Sequence, residues 1–448
     1  MKKFNAFAFA VLAVCSAEAA VLKQVIVRQQ WPWSTDVKIE YKLAEVTSPV
    51  DVKVAAFNGE VPLSADRLQA ALSGDLYGIT EDGVGTIILD PVKAFGTEKV
   101  ALANFNVELT LEDSAANINE AVYKVFDLDT GACTDIRRSD LLGNKYGAYE
   151  TDYAKIYPDM RRTPQAGDII WTGVTNDIAY KTTKLVMRKI PAKDVVWTMG
   201  DSAAVRKAAN VQPDGAWETN HLVRLTYDYW IGVFEVTRAQ YGTMTGFHGM
   251  NVTAENADVL PEQKLVFGNY GANNANVAYF AGQMRKKTGL QGFDVPNEAE
   301  WEFACRAGTV HCLYTGYNPT DGWWSGTNGR VAPLAWISGN SGDAVHPVGL
   351  KLPNAFGLYD MLGNVRECTR DLRGGSSAEY FATFGAGWTP ETVVVDPPSP
   401  TGGYHLYKGG SYKSTGAYVR AGDRTMARQN WTTSNGEEGM RVMLRLAE

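Results

Sequence analysis

The sequence predicts an α+β protein in which a small all-β region precedes a longer region of helices, strands and loops. The chain has 448 residues, enough for two or three domains. Short β-branched runs fill the first quarter, and capped amphipathic helices follow residue 180. The 12 Trp and 21 Tyr are typical of a fold whose loops are packed by large rings.

Residues 20–112 are predicted to form a small β-sandwich-like domain. In runs such as DVKIEYKLAEV and KVALANFNVELTLE, apolar and polar residues alternate in part. Ser-Pro, Asn-Gly and Asp-Gly turn signals separate these predicted strands. Several short strands at this spacing are typical of immunoglobulin-like or fibronectin-like sandwiches. The segment Gln30–Trp33 is either a binding patch or, as aromatic residues more often are, part of the core. Residues 113–181 are predicted to be a connector with some β structure.

Residues 1–19 have the pattern of a signal peptide. Two lysines begin the chain, a short apolar run follows, and Ala17-Glu18-Ala19 provides a cleavage site before Ala20. Val14 before Cys15 does not fit a lipoprotein signal. We therefore expect export to the periplasm or the outside of the cell, with no transmembrane segment. The net charge of −7 excludes a basic nucleic-acid footprint.

The second region carries clear helix signals. Thr237 is expected to cap a helix that begins at Arg238, and Asn297 one that spans Glu298 to Arg306. The amphipathic segment ANVAYFAGQMRKKTG should end at Gly289. On the predicted helix 298–306, three glutamates at alternate positions suggest a solvated face or pairing at the helix end, rather than acid catalysis.

Four segments carry a family resemblance: DVPNEAEWEFACRAGT, NAFGLYDMLGNVRECTR, KGGSY and GMRVM. In this order they resemble the formylglycine-generating enzyme (sulfatase-modifying factor) family, over residues 182–448. The resemblance implies a C-type-lectin-like α+β fold. It also implies an enzyme that oxidises a cysteine of a client sulfatase to formylglycine, using a pair of its own cysteines that bind copper(I).

The catalytic cysteine pair of the family corresponds here to Ser414 and Val419. Because copper(I) prefers thiolates, neither residue suits it, and copper is not expected. Three functions remain open: a binding or accessory module for an unknown protein or glycan ligand, an oxidoreductase of the same family with another metal or mechanism, and a surface adhesion or carbohydrate-binding protein. The five histidines lack the spacing of the iron site in the related sulfoxide synthases, and His346 is expected to be packed rather than a ligand.

The resemblance also implies a structural calcium site. Carried over position by position, its ligands are the side chains of Asp360 and Glu367 and the backbone carbonyls of Gly363 and Val365. Oxygen ligands from a tight loop suit calcium. The alternative is that Glu367 forms an ion pair with a nearby arginine.

The cysteines that follow the predicted signal leave two possibilities. Because Cys305 and Cys368 both lie in family-like segments, we expect them to form a disulfide. The alternative is that all four cysteines after Ala20 are separate thiols.

Overall fold

A computed structural model describes most of the chain between residues 20 and 446. The residues it does not describe are 1–19, 30–33, 48, 59–60, 64–67, 69–70, 77, 80, 96–104, 114–120, 138–173, 175–176, 210–216, 248–256, 266–276, 315–317, 319–329, 355, 374–376, 400–403, 427–435 and 447–448. The predicted signal peptide, the segment Gln30–Trp33 and most of the connector lie outside the described residues. The chain divides into two compact units, and the boundaries between them that fall in described residues are at 121/122 and 135/136.

The first unit contains two antiparallel sheets. One has the strand order β1-β2-β6-β5 and the other β4-β3-β7. The strands are β1 (Val21–Gln29), β2 (Val37–Ala44), β3 (Val50–Asn58), β4 (Val61–Pro62), β5 (Leu72–Gly74), β6 (Gly83–Leu89) and β7 (Phe105–Asp113), and a short helix α1 (Pro91–Phe95) follows β6.

Alternation along the strands builds one hydrophobic core in this unit. In β2, Val37, Ile39, Tyr41 and Leu43 are buried while the residues between them are partly or fully exposed. This is the pattern of period two that places every second side chain on one face of a sheet. Buried residues of β3, β6 and β7 join the same cluster, so both sheets contribute to a single core.

A six-stranded sheet of order β14-β20-β13-β10-β8-β9 organises the second unit. Its strands are β8 (Ala121–Asp127), β9 (Cys133–Arg137), β10 (Lys184–Ile190), β13 (Tyr229–Gly232), β14 (Phe293–Asp294) and β20 (Met443–Leu444). The predicted strand of the connector is therefore β8, and it pairs with β10 of this sheet. The strand near the chain end, β20, lies between β13 and β14.

Two smaller sheets complete the second unit. One joins β11 (Val196–Met199), β12 (His221–Arg224) and β16 (Val394–Val395). The other has the order β18-β17-β15-β19, formed by β15 (Arg366–Arg373), β17 (Tyr404–Lys408), β18 (Thr425–Met426) and β19 (Glu438–Gly439). β15 pairs antiparallel with β17 and parallel with β19, so the motif GNVREC is held between two later segments.

The helices of the second unit follow the predicted caps. They are α2 (Ala203–Ala208), α3 (Arg238–Thr245), α4 (Val277–Thr288), α5 (Glu298–Arg306) and α6 (Ser377–Ala382). Thr237 and Asn297 each accept a bond from the backbone three residues on, and the capping box is complete at both sites. Gly289, with φ of 76°, follows the last residue of α4 as predicted. None of the helices in the described residues is long and apolar enough to span a bilayer.

The expected disulfide between Cys305 and Cys368 is not formed: both are free thiols, as are Cys133 and Cys312. Cys305 lies in the core, with its sulfur 4.0 Å from the carbonyl of Met361. The sulfur of Cys368 lies 3.9 Å from a different carbonyl, that of Leu265. Burial raises the pKa of both thiols well above that of an exposed cysteine. The two side chains serve as small apolar core residues, which is the alternative that the sequence left open.

Gly363 lies in the loop of residues 360–367, which we call the motif loop, and its substitution tests how tightly this loop is packed. Its φ is +80°, and a Cβ there would lie 2.4 Å from the carbonyl oxygen of Trp336. Gly246 has a similar φ of +73° but open space around it. We expect Gly246→Ala to cost about 1 kcal/mol of unfolding free energy from backbone strain alone, and Gly363→Ala about 1–3 kcal/mol more from the clash. Urea denaturation of the two variants measures the difference, and equal losses would contradict the packing described.

Candidate functional site

The motif loop, residues 360–367, is locked to the later segment Lys408–Tyr412. Asp360, Gly363 and Asn364 all have left-handed backbone conformations, with φ of 53°, 80° and 55°. The amide of Gly363 donates to the carbonyl of Gly409, and the amide of Tyr412 donates to the carbonyl of Asn364. The strained turn thus brings the two family motifs, GNVREC and KGGSY, into direct contact.

Glu367 forms a buried ion pair with Arg441, the arginine of the GMRVM segment. The Arg441 guanidinium donates to both carboxylate oxygens at 2.7–3.1 Å, and Trp301 Nε1 donates to Oε2 at 2.6 Å. Arg441 also donates to the carbonyls of Gly232 and Tyr359. Both side chains are fully buried, so Glu367 takes the role that the sequence offered as the alternative to a calcium ligand.

Asp360 is the other carboxylate predicted to bind calcium, and only one of its oxygens is bonded. It is 1% exposed, and Oδ2 accepts a bond of 2.6 Å from the amide of Gly349. Oδ1 is buried and has no hydrogen-bond partner among the described residues. Burial raises the pKa of Asp360 to about 6, against the opposing effects of the Gly349 amide, Arg441 and Lys181. A buried carboxylate with an uncommitted oxygen is a position at which a cation would be stabilised.

Glu235 is a third buried carboxylate in this region. Its oxygens accept bonds from the Asn364 side chain at 2.7 Å and from the Val365 amide at 3.0 Å. Burial raises its pKa well above the usual range, and the charges of Asp360 and Glu367 raise it further. Glu235 therefore holds the motif loop in place through two hydrogen bonds. No sequence signal indicated this role, because the residue lies some 130 positions before the loop.

The four predicted calcium ligands fit a cation only in part. Asp360 supplies an oxygen, and Gly363 and Val365, whose carbonyls are the other predicted ligands, follow it within five residues. Glu367 does not fit, because both its oxygens already hold Arg441 and Trp301. An ion bound by all four groups would have to displace Arg441 from Glu367.

Ser414 and Val419, which the family resemblance implies are the counterparts of the catalytic cysteines, lie in different surroundings. Ser414 is partly exposed, and its hydroxyl accepts a bond from the Ser411 amide at 2.9 Å and lies 3.2 Å from the Ser411 hydroxyl. Ser411 also donates to the carboxylate of Glu437 at 2.5 Å. Val419 is fully buried and belongs to the hydrophobic core. The two side chains are thus a hydrogen-bonded hydroxyl and an apolar core group.

Arg366 occupies the position where family members commonly have the first tryptophan of the motif. Its guanidinium bonds Glu438 at 2.5 Å and lies 3.9 Å from Glu437. Because Glu437 also accepts the Ser411 hydroxyl, a continuous polar chain runs from Arg366 to Ser414. This polar chain is mostly buried, since Ser411 and Glu438 are inaccessible and the side chains of Arg366 and Glu437 are each 12% exposed.

A second buried charge network surrounds helix α5. Glu298, Glu300 and Glu302 are at most 2% exposed, so the helix face is not solvated, and the other alternative, pairing at the helix end, is the one observed for Glu300. Glu298 and Glu302 form ion pairs with Lys408, and Glu300 closes the capping box. The network consists of the cations Arg306, Lys408, Arg420 and Arg424 and the anions Asp201, Glu218, Glu298, Glu302 and Asp423.

His346 is packed, as expected, and is not directed at another ligand-type side chain. Its ring stacks on Trp336 at 3.7 Å between centroids, and Nε2 lies 2.8 Å from the carbonyl of Ser341. The ammonium of Lys351 lies 3.5 Å from the centroid of the same indole. Two groups so close to one centroid must occupy opposite faces, so Trp336 is enclosed between a histidine and a lysine.

Comparison with known proteins now places the chain. Residues 182–446 match the family described as the sulfatase-modifying factor enzyme 1-like domain. The chain belongs to this family. A formylglycine-generating enzyme of Streptomyces coelicolor is 33% identical over 164 residues, which cover 34% of this chain and 46% of that enzyme. That of Mus musculus is 30% identical over 134 residues, which cover 28% of this chain and 32% of the mouse enzyme.

Other relatives share shorter or more distant similarity. Chaperone protein LppX of Paenibacillus barcinonensis is 37% identical over 87 residues, covering 18% of this chain and 31% of the relative. The chain therefore spans less than half the length of each of these three relatives. Treponema denticola variable protein 1 aligns in three dimensions with a TM-score of 0.43 and 21% identity, over 63% of this chain and 98% of that one. PvdO from Pseudomonas aeruginosa aligns with a TM-score of 0.40 and 22% identity, over 58% and 94%.

Glu302 makes the charge network sensitive to acid. Burial alone would raise its pKa, but Lys408, Arg306 and the Gly200 amide outweigh it and hold the pKa at about 2, below the ordinary 4.5. Because the folded value is the lower one, its stabilisation is complete above pH 4.5 and is lost as the pH falls from 4.5 towards 2. We expect Glu302→Gln to cost about 3 kcal/mol or more at pH 7, and this loss should shrink in the acid window.

Urea denaturation between about pH 2.5 and 7 measures this effect. Glu391→Gln is the matched control, since Glu391 is exposed and should change stability little at any pH. A loss for Glu302→Gln that stays constant down to pH 2.5 would contradict the role assigned to its charge.

Proposed function

We propose that this family member has lost the copper chemistry and acts as an exported binding or accessory module. The observation that carries the proposal is the pair Ser414 and Val419 at the positions of the family cysteines. A hydroxyl already bonded to Ser411 and an apolar core side chain offer no soft ligand to copper(I). Similarity over 87 residues to a protein named as a chaperone is in keeping with an accessory role.

Two features of the second unit support binding rather than oxidation. Arg366, where the family resemblance implies a tryptophan, forms ion pairs with Glu437 and Glu438. Ser414 is partly exposed, and with the exposed Lys413 beside it the chain offers a hydroxyl and a charge to a polar partner, either a protein segment or a glycan. The proposed architecture is a sandwich-like β domain followed by a C-type-lectin-like domain, with residues 1–19 as the export signal.

The first test is formylglycine formation. We expect no oxidation of a peptide with the Cys-x-Pro-x-Arg motif when the purified protein is incubated with copper and oxygen and the peptide is analysed by mass spectrometry. The Streptomyces coelicolor relative, assayed in parallel, is the positive control. A double variant with Ser414→Cys and Val419→Cys should gain copper(I) affinity, because it restores two thiols. Turnover of the peptide by the unmodified protein would overturn the proposal.

Metal analysis of the purified protein separates this proposal from the enzyme alternative. Stoichiometric copper or iron would favour an oxidoreductase with another mechanism, and calcium alone would favour a binding module. A glycan array then separates the two remaining possibilities. Specific retention of one glycan class would support a carbohydrate-binding protein, and its absence together with capture of a polypeptide would support an accessory role.

A structural calcium ion at the motif loop is part of the same proposal. It would be held by Asp360 with the carbonyls of Gly363 and Val365, and by Glu367 only if Arg441 moves aside. Its support is the buried, uncommitted Oδ1 of Asp360.

Melting curves test the calcium site. At one hundred times its dissociation constant, calcium should add about 2.7 kcal/mol of stability relative to chelator. Asp360→Asn should lose this gain, since it keeps the side-chain shape but removes the charge. Asp343→Asn is a matched control, because Asp343 is also left-handed, with φ of 60°, but is exposed. Identical midpoints with calcium and chelator for the metal-free unmodified protein would eliminate the site.

A further inference from the structure

His221, on β12, is the centre of an aromatic cluster built by one later segment. The ring is 3% exposed. It contacts four aromatic rings of residues 377–388, here called the aromatic arm, with centroid distances of 5.3–6.4 Å. These rings belong to Tyr380, Phe381, Phe384 and Trp388. The arm consists of α6 and the turn that follows it, between β15 and β17 in the chain.

The bond to Thr219 fixes the tautomer of His221 but by itself raises the pKa of the ring, so the neutral form depends on burial and on the second ring nitrogen. Nδ1 lies 2.8 Å from the carbonyl oxygen of Thr219, so Nδ1 must carry the proton and donate it. Nε2 is buried and has no hydrogen-bond partner among the described residues. A second proton on Nε2 would therefore add a buried charge and a donor without an acceptor, which the aromatic surroundings do not solvate.

The charged groups nearest to His221 do little to stabilise a protonated ring. Burial is the largest effect and lowers its pKa below that of an exposed histidine, and the positive charge of Arg424 acts in the same direction. Glu298 and Glu302 oppose it. Both glutamates, however, already hold cations: Glu298 pairs with Arg424 and Lys408, and Glu302 with Lys408 and Arg306.

The rest of the arm is anchored by contacts that do not titrate near neutral pH. The ring of Tyr380 lies 4.0 Å from the Arg424 guanidinium carbon, and β16 after the arm pairs with β12. Phe381, Phe384 and Trp388 contact one another, with Phe381 and Trp388 stacked at 4.8 Å. These three rings and His221 form the part of the arm that depends on the histidine.

We propose that His221 is a pH-sensitive latch: its neutral ring holds the aromatic arm against β12, and protonation in an acidic medium releases the stretch from Phe381 to Trp388. The anchors at Tyr380 and β16 remain, so the arm opens as a flap hinged at both ends. Its opening would uncover the His221 side of the buried charge network. A protein that meets an acidic medium would thereby expose a surface that it hides at neutral pH.

Hydrogen exchange of the full protein tests the latch. After correction for the intrinsic pH dependence of exchange, peptides covering residues 377–392 should lose protection by about tenfold per pH unit below about pH 6.5, the value for one linked proton. His221→Phe keeps a ring in the cluster but cannot titrate, so its protection should not change with pH. His311→Gln is the matched control, because this histidine lies outside the cluster, bonded to Thr309, and its loss should leave the pH response intact.

Imidazole NMR signals provide a second measurement on the unmodified protein. The midpoint at which His221 titrates should lie below pH 6.5 and coincide with the pH at which the loss of protection in the arm levels off, which keeps the proposal testable even if His221→Phe fails to fold. Protection that is constant between pH 7.5 and 5 would overturn the latch. An equal loss of protection in His221→Phe would also overturn it, since another group would then be responsible.

Discussion

The second unit depends on a set of paired charges that are almost entirely removed from the solvent-accessible surface. Arg306, Arg420, Arg424 and Lys408 are almost fully buried, and each is paired with at least one carboxylate. A buried charge without its partner is strongly unfavourable, so every member requires the others to be in place. Because all the carboxylates except Asp423 come from residues 201–302 and all the cations except Arg306 come from residues 408–424, the pairing fixes how residues 408–424 lie on α5. The ion pairs thereby also fix the position of the KGGSY segment, which begins at Lys408.

Sequence rules that depend on neighbouring residues correctly predicted the helix caps and the alternation along strands. The caps at Thr237 and Asn297, the end of α4 at Gly289 and the alternation in β2 depend on residues within a few positions, and the structure has all of them. The predictions of a solvated glutamate face and of a disulfide between Cys305 and Cys368 were wrong because they depend on contacts between residues far apart in the chain. Whether Glu302 meets water or Lys408 depends on a segment more than one hundred residues away, and periodicity along a helix carries no such information.

The motif loop is held in place without the side chains of Ser414 and Val419. Gly363, Asn364 and Glu367 are engaged by Gly409, Tyr412 and Arg441 through contacts that hold the backbone. None of these contacts uses the side chains at 414 or 419. Family motifs of this kind therefore identify the architecture, while the activity resides in a few positions that can change without loss of folding. This is why recognition of the family and assignment of a reaction are separate conclusions for this chain.

The placement of β20 has a consequence for biosynthesis. This two-residue strand lies between β13 and β14, and β19 pairs with β15, so residues 438–444 join sheets whose other strands are made much earlier. Such distant pairings are slow to form because a long loop must close first. Until residues 438–444 have been translated, the central sheet has an open position beside Ile231. The nascent unit therefore stays unfinished, with apolar edges exposed, for the time that the intervening residues, about two hundred of them, take to be made.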